Sequence, residues 1–137
     1  RAQHTGQHTE CNMISRGAAD DNGSLVYEGL QDVGDNAADT SSFQHEDTIL
    51  LSDEAKANAA PKLMIDNSNV EATHAASSGA VDTDTMYYLN SRGIPTATAK
   101  RLIVRGFFQP IYDAASSNVE EIIVGEVKAK FESDTDV

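Results

Sequence analysis

The sequence predicts an α+β protein, with a β lobe over residues 1–81 followed by a helical lobe over residues 82–137. Two observations support this prediction. Up to Val81, short apolar runs alternate with turn segments rich in Asn, Asp, Ser and Gly, which is typical of strands. After Val81 the apolar residues take helical spacing behind Asp82, a good capping residue. Helices that are segregated at one end of a β region give an α+β layout.

The β lobe contains three predicted strands. Ser24–Val33 shows a weak alternation of side chains, while Thr48–Ser52 and Lys62–Asp66 are apolar runs too short for helices. We expect the two short runs to be buried. Their spacing is irregular, so no repeat is assigned. On the residues alone, a sandwich, a barrel and a stacked β-solenoid all remain open.

The helical lobe contains three predicted helices. Asp82 caps the first helix, and Gly93 ends it by adopting a left-handed conformation. The second helix begins after Pro95 and ends around residues 106–108, because Pro110 follows closely. The third is capped by Ser117. The apolar positions are Met86, Tyr87 and Leu89 in the first helix, Ala99, Leu102, Ile103, Gly106 and Phe107 in the second, and Val119, Ile122, Ile123, Val127 and Phe131 in the third.

The charge balance limits the classes of partner. A formal net charge of −12 argues against nucleic acid, which needs a basic footprint. No apolar stretch approaches the roughly 20 residues that span a membrane. The chain begins with Arg and shows no signal sequence, so we expect it to be a piece of a longer protein. The stretch from 92 to 105 holds four bases and no acid, which indicates either a solvated face or a docking site for an acidic partner. Those four bases are Arg92, Lys100, Arg101 and Arg105.

Three histidines and the only cysteine lie in the first half of the chain. On one extended strand His4 and His8 would share a side while Cys11 faces the other, so they would not converge on a metal. We interpret them as surface strand residues. A single cysteine permits no intramolecular disulfide, which fits a reducing compartment such as the cytoplasm. His45 precedes the run at Thr48 and is interpreted as an exposed turn histidine.

His74 is the strongest candidate for a site. Its neighbours from Ala72 to Ala76 are small, which suits a tight turn or a flat sheet edge and leaves the imidazole uncovered. An exposed neutral imidazole is a good ligand for iron or zinc. The competing interpretation is a histidine satisfied by the backbone at the end of the β lobe. The sequence contains none of the common nucleophile, phosphate-loop or zinc-protease motifs, so we predict no enzyme.

Several ordered motifs resemble those of a known family. The first three are the strand end Leu63–Asp66, "HAAS" at His74–Ser77 and "YYLNSRGI" at Tyr87–Ile94. The fourth is Ala99–Phe107, which has Leu102, Ile103 and Gly106 at the positions of the family pattern. Upstream, "LLSDEA" from Leu50 continues the same order. Together they resemble the C-terminal part of the SufB/SufD family of iron–sulfur cluster assembly proteins, and within it most closely SufD.

The resemblance implies a fold and a function that go beyond the residue patterns. The β lobe would be the end of a right-handed parallel β-helix, followed by a small C-terminal helical lobe. The protein would be a cytoplasmic, non-enzymatic subunit of the SufBCD complex that docks the ABC-type ATPase SufC and pairs with SufB. His74 matches the family histidine implicated in iron or cluster handling, which makes it the candidate metal ligand. No intrinsic cofactor is implied, only transient iron or a cluster at the interface with SufB, and a homodimer remains open.

Three rival hypotheses stand beside the SufD-like interpretation. The first is a SufB-like scaffold, but the chain has Ala75 where SufB has a Glu, and it lacks a cysteine near His45. The second is a β-helix enzyme acting on acidic polysaccharide, and the third is a purely structural cap. In the SufD-like interpretation, the face around Lys100, Arg101 and Arg105 is expected to contribute to ATPase docking. The apolar residues expected to pack the helices against the β lobe are Leu102, Ile103 and Phe107.

Overall fold

The structure, a computed structural model, describes residues 1–115 together with Ile122, Val124 and Gly125. It confirms the predicted α+β class, with parallel sheets followed by helices. The chain divides into two compact units, Arg1–Val81 and Asp82–Val137, called here the β unit and the helical unit.

Six strands form the β unit, and they alternate between two three-stranded sheets. One sheet has the order β1-β3-β5 and the other β2-β4-β6, and every neighbouring pair is parallel. Each pass of the chain therefore adds one strand to each sheet. The strands are β1 (Ala2–His4), β2 (Glu10–Ala19), β3 (Ser24–Val33), β4 (Thr40–Leu50), β5 (Lys56–Ile65) and β6 (Val70–Ala80).

The predicted strands are correct in place but mostly too short. Ser24–Val33 coincides with β3, whereas Thr48–Ser52 covers only the end of β4 and Lys62–Asp66 only the end of β5. The expected burial of the last run is wrong, because Leu63 is 37% and Ile65 41% exposed. This end of β5 is uncovered because β5 is the last strand of its sheet.

Polar side chains fill much of the space between the two sheets. The His4 Nε2 lies 3.1 Å from the Ser42 Oγ across that space. The Gln31 Nε2 donates to the carbonyl of Thr73 at 3.0 Å, again from one sheet to the other. Hydrogen bonds thus take part of the role that large apolar side chains have in most cores. The buried apolar residues of the unit are small or few: Ala2, Ala19, Val33, Ala37, Leu51 and Ala55.

Stacked turns join the strands at one side of the β unit. His8 and Asp39 both have left-handed backbones, with φ of 55° and 54°. The Asp39 amide donates to the Asn69 carbonyl at 2.8 Å, and the Asn69 side chain returns a bond to the Asp39 Oδ1 at 2.7 Å. Asp and Asn adopt this conformation readily and form local hydrogen bonds, which is why they are frequent in the turn segments predicted from the sequence.

The first helix, α1 (Thr83–Ser91), begins and ends where the sequence predicts. The Asp82 carboxylate accepts from the Thr85 amide at 3.0 Å, so it caps the helix. Hydrogen bonds from the Thr85 hydroxyl and amide hold the pKa of Asp82 below its ordinary value. Gly93, with φ of +80°, provides the left-handed end.

The second helix, α2 (Thr96–Ala114), is longer than predicted. It continues through Pro110, so the expected end at residues 106–108 is wrong. A proline in the interior removes one backbone donor but does not force the helix to stop, since packing can compensate. Its buried residues are Ala99, Val104 and Tyr112, while Leu102 is 48% exposed.

Most of the third predicted helix lies outside the described residues. Ser117, Val119, Ile123, Val127 and Phe131 are all outside them, and of its apolar set only Ile122 is described, as helical and 66% exposed. Among the described helices, none is long and apolar enough to cross a membrane.

Candidate functional site

The candidate site lies on the two strands that end the sheets. β5 and β6 are each the last strand in their sheet, so among the described strands each has a neighbour on one side only. We call these two strands the open edge. Most residues of β6 and the last four residues of β5 are exposed. An unpaired strand of this kind offers its backbone donors and acceptors to another chain.

His74 lies on β6 within the open edge. It is the fifth residue of the strand and pairs in register with Gln44 of β4, so the expected tight turn is wrong and the sheet edge is correct. In-register neighbours share one face of a sheet, so His74 belongs to the same face as the buried Gln44. The imidazole is exposed, and no hydrogen bond reaches it from the part of the chain that the structure describes.

A buried carboxylate lies next to the open edge. Glu46, on β4, is 3% exposed, and its Oε1 accepts a hydrogen bond from the Thr48 hydroxyl at 2.5 Å. Burial and then the nearby charge of Glu46 raise the pKa of Tyr27. A cavity of about 100 Å³ opens beside this carboxylate. It is lined by Glu46, Ala57, Ala59, Ala76, Ser77 and Ser78.

The opposite face of the same sheet carries a charged cluster. Asp47 of β4 bonds Arg16 of β2 at 2.5 Å, His45 at 3.1 Å and the hydroxyl of Ser77 on β6. Burial alone would raise the pKa of Asp47, but the hydrogen bonds from Ser77 and His45 and the charge of Arg16 hold it below its ordinary value. The cluster therefore links three strands. His45 lies within β4 and not in a turn ahead of it, which corrects the predicted position.

The N-terminal histidines differ from the sequence-based interpretation. His4 is 4% exposed and both ring nitrogens are satisfied, by Thr9 at 2.7 Å and Ser42 at 3.1 Å, so it is not a surface residue. His8 lies in a turn, where its Nδ1 is 3.5 Å from the Asp39 carboxylate. Cys11 is half-buried on β2. Within the described ranges, no three His, Cys, Asp or Glu side chains are placed to hold a metal.

The four predicted docking bases all lie in the first part of the helical unit. Arg92 is at the end of α1, with its guanidinium 5.0 Å from the centre of the Tyr88 ring. The other three are on α2, where Arg101 and Arg105 are one turn apart and Lys100 adjoins them. Arg101 donates to the Thr98 hydroxyl at 3.0 Å. Burial raises the pKa of Tyr112, and the charge of Arg105 opposes this effect.

Sequence reasoning missed Glu46 and the Asp47 cluster. A signal for the first was present, because every second residue of β4 is polar and these residues form the buried face. That pattern is the reverse of the usual apolar-inward alternation. No comparable signal exists for Arg16 and Asp47, since their contact depends on the register of β2 against β4. The buried polar residues of β4 are Thr40, Ser42, Gln44, Glu46 and Thr48.

Comparison with known proteins gives one consistent family. Residues 1–107 match the family model described as "SUF system FeS cluster assembly, SufBD core domain". The chain is 37% identical over 108 residues to the iron–sulfur cluster assembly protein SufD of Bacillus subtilis, covering 79% of this chain and 25% of that protein. It is 36% identical over 133 residues to a SufBD family protein of Mycobacterium tuberculosis, covering 90% of this chain and 32% of that protein. The chain thus spans about a quarter to a third of the length of these relatives. The predicted resemblance is confirmed, and the chain belongs to the SufBD family of iron–sulfur cluster assembly proteins.

Proposed function

We propose that the chain acts as part of a SufD-like subunit of a SufBCD iron–sulfur cluster assembly complex. In this proposal the two alternating sheets are the final turns of a right-handed parallel β-helix, and the protein is a non-enzymatic, cytoplasmic scaffold. The open edge pairs with a SufB-type paralogue, and the helical unit docks the ATPase SufC.

The open edge is the observation that carries the proposal. Both sheets end there with exposed strands, at β5 and at β6. Leu63 and Ile65 on β5 are 37% and 41% exposed, although they share the face of the buried Gln31 and Val33. Apolar side chains on an inward face are expected to be covered in the working protein. A second chain that adds strands to both sheets would cover them.

His74 is the residue of the open edge that would contact the iron or the cluster being assembled. Its exposed imidazole lies on the inward face of β6, and one nitrogen ligand does not hold a metal alone. Iron or a cluster would therefore be held jointly, with the remaining ligands supplied by the paralogue. The metal is cargo in this scheme, and the chain needs no resident cofactor.

The helical unit supports the docking part of the proposal through charge. Arg105 is exposed on α2 and Arg92 is exposed at the end of α1, with no acid between them in the sequence. Tyr87 and Leu102 are 76% and 48% exposed, so apolar contact area accompanies the bases. Exposed aromatic and arginine side chains are typical of protein interfaces.

The hypothesis of an enzyme acting on acidic polysaccharide has weaker support. Binding a polyanion needs accessible bases, and the β unit has four, Arg1, Arg16, Lys56 and Lys62. Three of these four make ion pairs with carboxylates of the β unit: Arg1 with Asp32, Arg16 with Asp47 and Lys62 with Glu28.

Binding to the SufB-type paralogue tests the role of the open edge. We expect the 137-residue chain to bind the purified paralogue, and His74→Ala to weaken binding about fivefold or more if the imidazole is a central contact. Thr73→Ala, on the opposite face of β6, is the matched control. If His74→Ala and Thr73→Ala bind as the wild type does, His74 has no role in the pairing.

Calorimetric titration with SufC tests the role of the helical unit. We expect a Kd of about 1 μM or tighter, equivalent to about −8 kcal/mol. Arg105→Gln should weaken binding, and raising the salt concentration should reduce the difference between this variant and the wild type. Lys62→Gln removes an exposed base from the β unit and is the control. A folded chain that does not bind SufC would exclude the docking role.

A further inference from the structure

The buried carboxylate of Glu46 has no cationic partner among the described residues. It accepts a hydrogen bond from the Thr48 hydroxyl, and none of the ion pairs of the described residues includes Glu46. Glu46 is only 3% exposed, so water screens its charge poorly. A buried charge is costly unless it is paired. A positively charged group next to Glu46 would therefore stabilise it.

Space for such a group exists next to the carboxylate. Glu46 pairs in register with Ala76 on β6, and the side chain of Ala76 is too short to cover it. Across the cavity the wall is formed by Ala57 and Ala59 of β5, which are equally small. The resulting cavity of about 100 Å³ is well above the ~10–15 Å³ that a single water molecule needs. It opens at the open edge, where a partner chain would arrive.

We propose that this cavity receives a lysine side chain from the protein that covers the open edge. The proposal rests on the proposed pairing and names the chemistry of the partner at this point. The ammonium group would pair with Glu46 and bond the hydroxyl of Ser78, while its methylene groups lie along the alanines.

A lysine fits the cavity better than the other cations. A metal ion would need several convergent ligands, and no group of three His, Cys, Asp or Glu that could hold one is present in the described part of the chain. Arginine carries a wide planar guanidinium, whereas the lysine ammonium is compact and sits on a flexible apolar stem. The three alanine methyl groups in the lining suit such a stem, and the Glu46 carboxylate suits the ammonium, so the cavity favours lysine.

Charge-neutralising substitution tests the pairing of Glu46. Glu46→Gln keeps the shape of the side chain and the acceptor for Thr48 but removes the charge. We expect it to weaken binding to the SufB-type paralogue about 30-fold or more, as when one partner of a buried ion pair is lost. Glu71→Gln, an exposed acid on β6, makes the same change in net charge and should leave binding within about twofold.

The thermal stability of the free chain separates this role from a merely structural one. Because the unpaired charge is relieved, the Tm of free Glu46→Gln should not fall, whereas its complex should weaken. Acylation of the partner's lysines, mapped by mass spectrometry, should show one lysine that is protected by the wild type and not by Glu46→Gln. A lower Tm together with unchanged protection would overturn the proposal.

Filling the cavity gives a second, independent variant. Ala76→Leu should block the entry of the lysine and weaken binding, while Ala75→Leu on the opposite face of β6 should not. Equal binding by the wild type, Glu46→Gln and Ala76→Leu would overturn this inference and leave the pairing intact. Absence of binding by the wild type would instead overturn the pairing, and the inference with it.

Discussion

The central strand β4 and the edge strand β6 present inward faces of opposite exposure. On β4, Gln44, Glu46 and Thr48 are 2%, 3% and 3% exposed. Their in-register neighbours on β6, which include His74 and Ser78, are exposed. Position in the sheet separates the two sets, since β4 has a neighbouring strand on each side and β6 has one only among the described strands. Burial of an inward side chain in this sheet therefore increases with the number of strands that flank it.

The largest expected effect is a loss of stability when a side chain is added next to Gln44, on the buried face of β4. A Cβ placed on Gly29 would lie 2.1 Å from the Nε2 of Gln44, a residue that is only 2% exposed. We expect Gly29→Val to lower the free energy of unfolding by about 3 kcal/mol, measured by urea denaturation. Gly79→Val, on β6, would meet nothing within 4 Å and should change it by less than about 0.5 kcal/mol. If both variants lower the free energy of unfolding equally, the buried surroundings of β4 and the exposed surroundings of β6 do not differ as described.

A smaller effect is expected from removing one hydroxyl at in-register positions. Thr48→Val keeps the shape of the side chain but removes the bond to the buried Glu46, which should cost about 1–2 kcal/mol. Ser78→Ala, at the paired position on β6, should cost less than about 0.5 kcal/mol. Both are measured by chemical denaturation at neutral pH. If Ser78→Ala is the costlier change, the edge strand is already buried in the free protein.

The smallest effect concerns the link from β4 to β6 on the opposite face. Since the pKa of Asp47 is lower in the folded protein, its ionisation stabilises the fold above the ordinary carboxyl pKa of about 4. This stabilisation is lost as the pH falls from there toward the folded-state value. Asp47→Asn should therefore flatten the acid limb of stability against pH, and Ser77→Ala should flatten it less. An unchanged acid limb in Asp47→Asn would exclude this linkage.

The sequence predicts the order of the elements better than their lengths. β3 was predictable because its residues alternate, and α1 because Asp82 and Gly93 mark its two ends. β4 was underestimated because its buried face is polar, so an apolar pattern detects only its last residues. The end of α2 was misplaced because Pro110 is tolerated inside the helix, a matter of packing that local sequence does not encode.

The candidate site was predictable only in part, because it depends on contacts between strands that are distant in sequence. His74 stands out in the sequence because its neighbours on β6 are small. Glu46 does not stand out in an acidic chain, and its importance comes from a cavity between strands that are distant in sequence. The salt bridge between Arg16 and Asp47 likewise depends on register, which emerges only when the sheets form.

The uncovered strands have a consequence for the behaviour of the isolated chain in solution. Two copies could join edge to edge, and repeated joining would lead to precipitation. The net charge of −12 opposes this, because like-charged molecules repel one another before their strands can meet. Salt shortens the range of that repulsion to about 8 Å at physiological ionic strength. The isolated chain should therefore stay dispersed in dilute buffer and become prone to aggregation as salt is added.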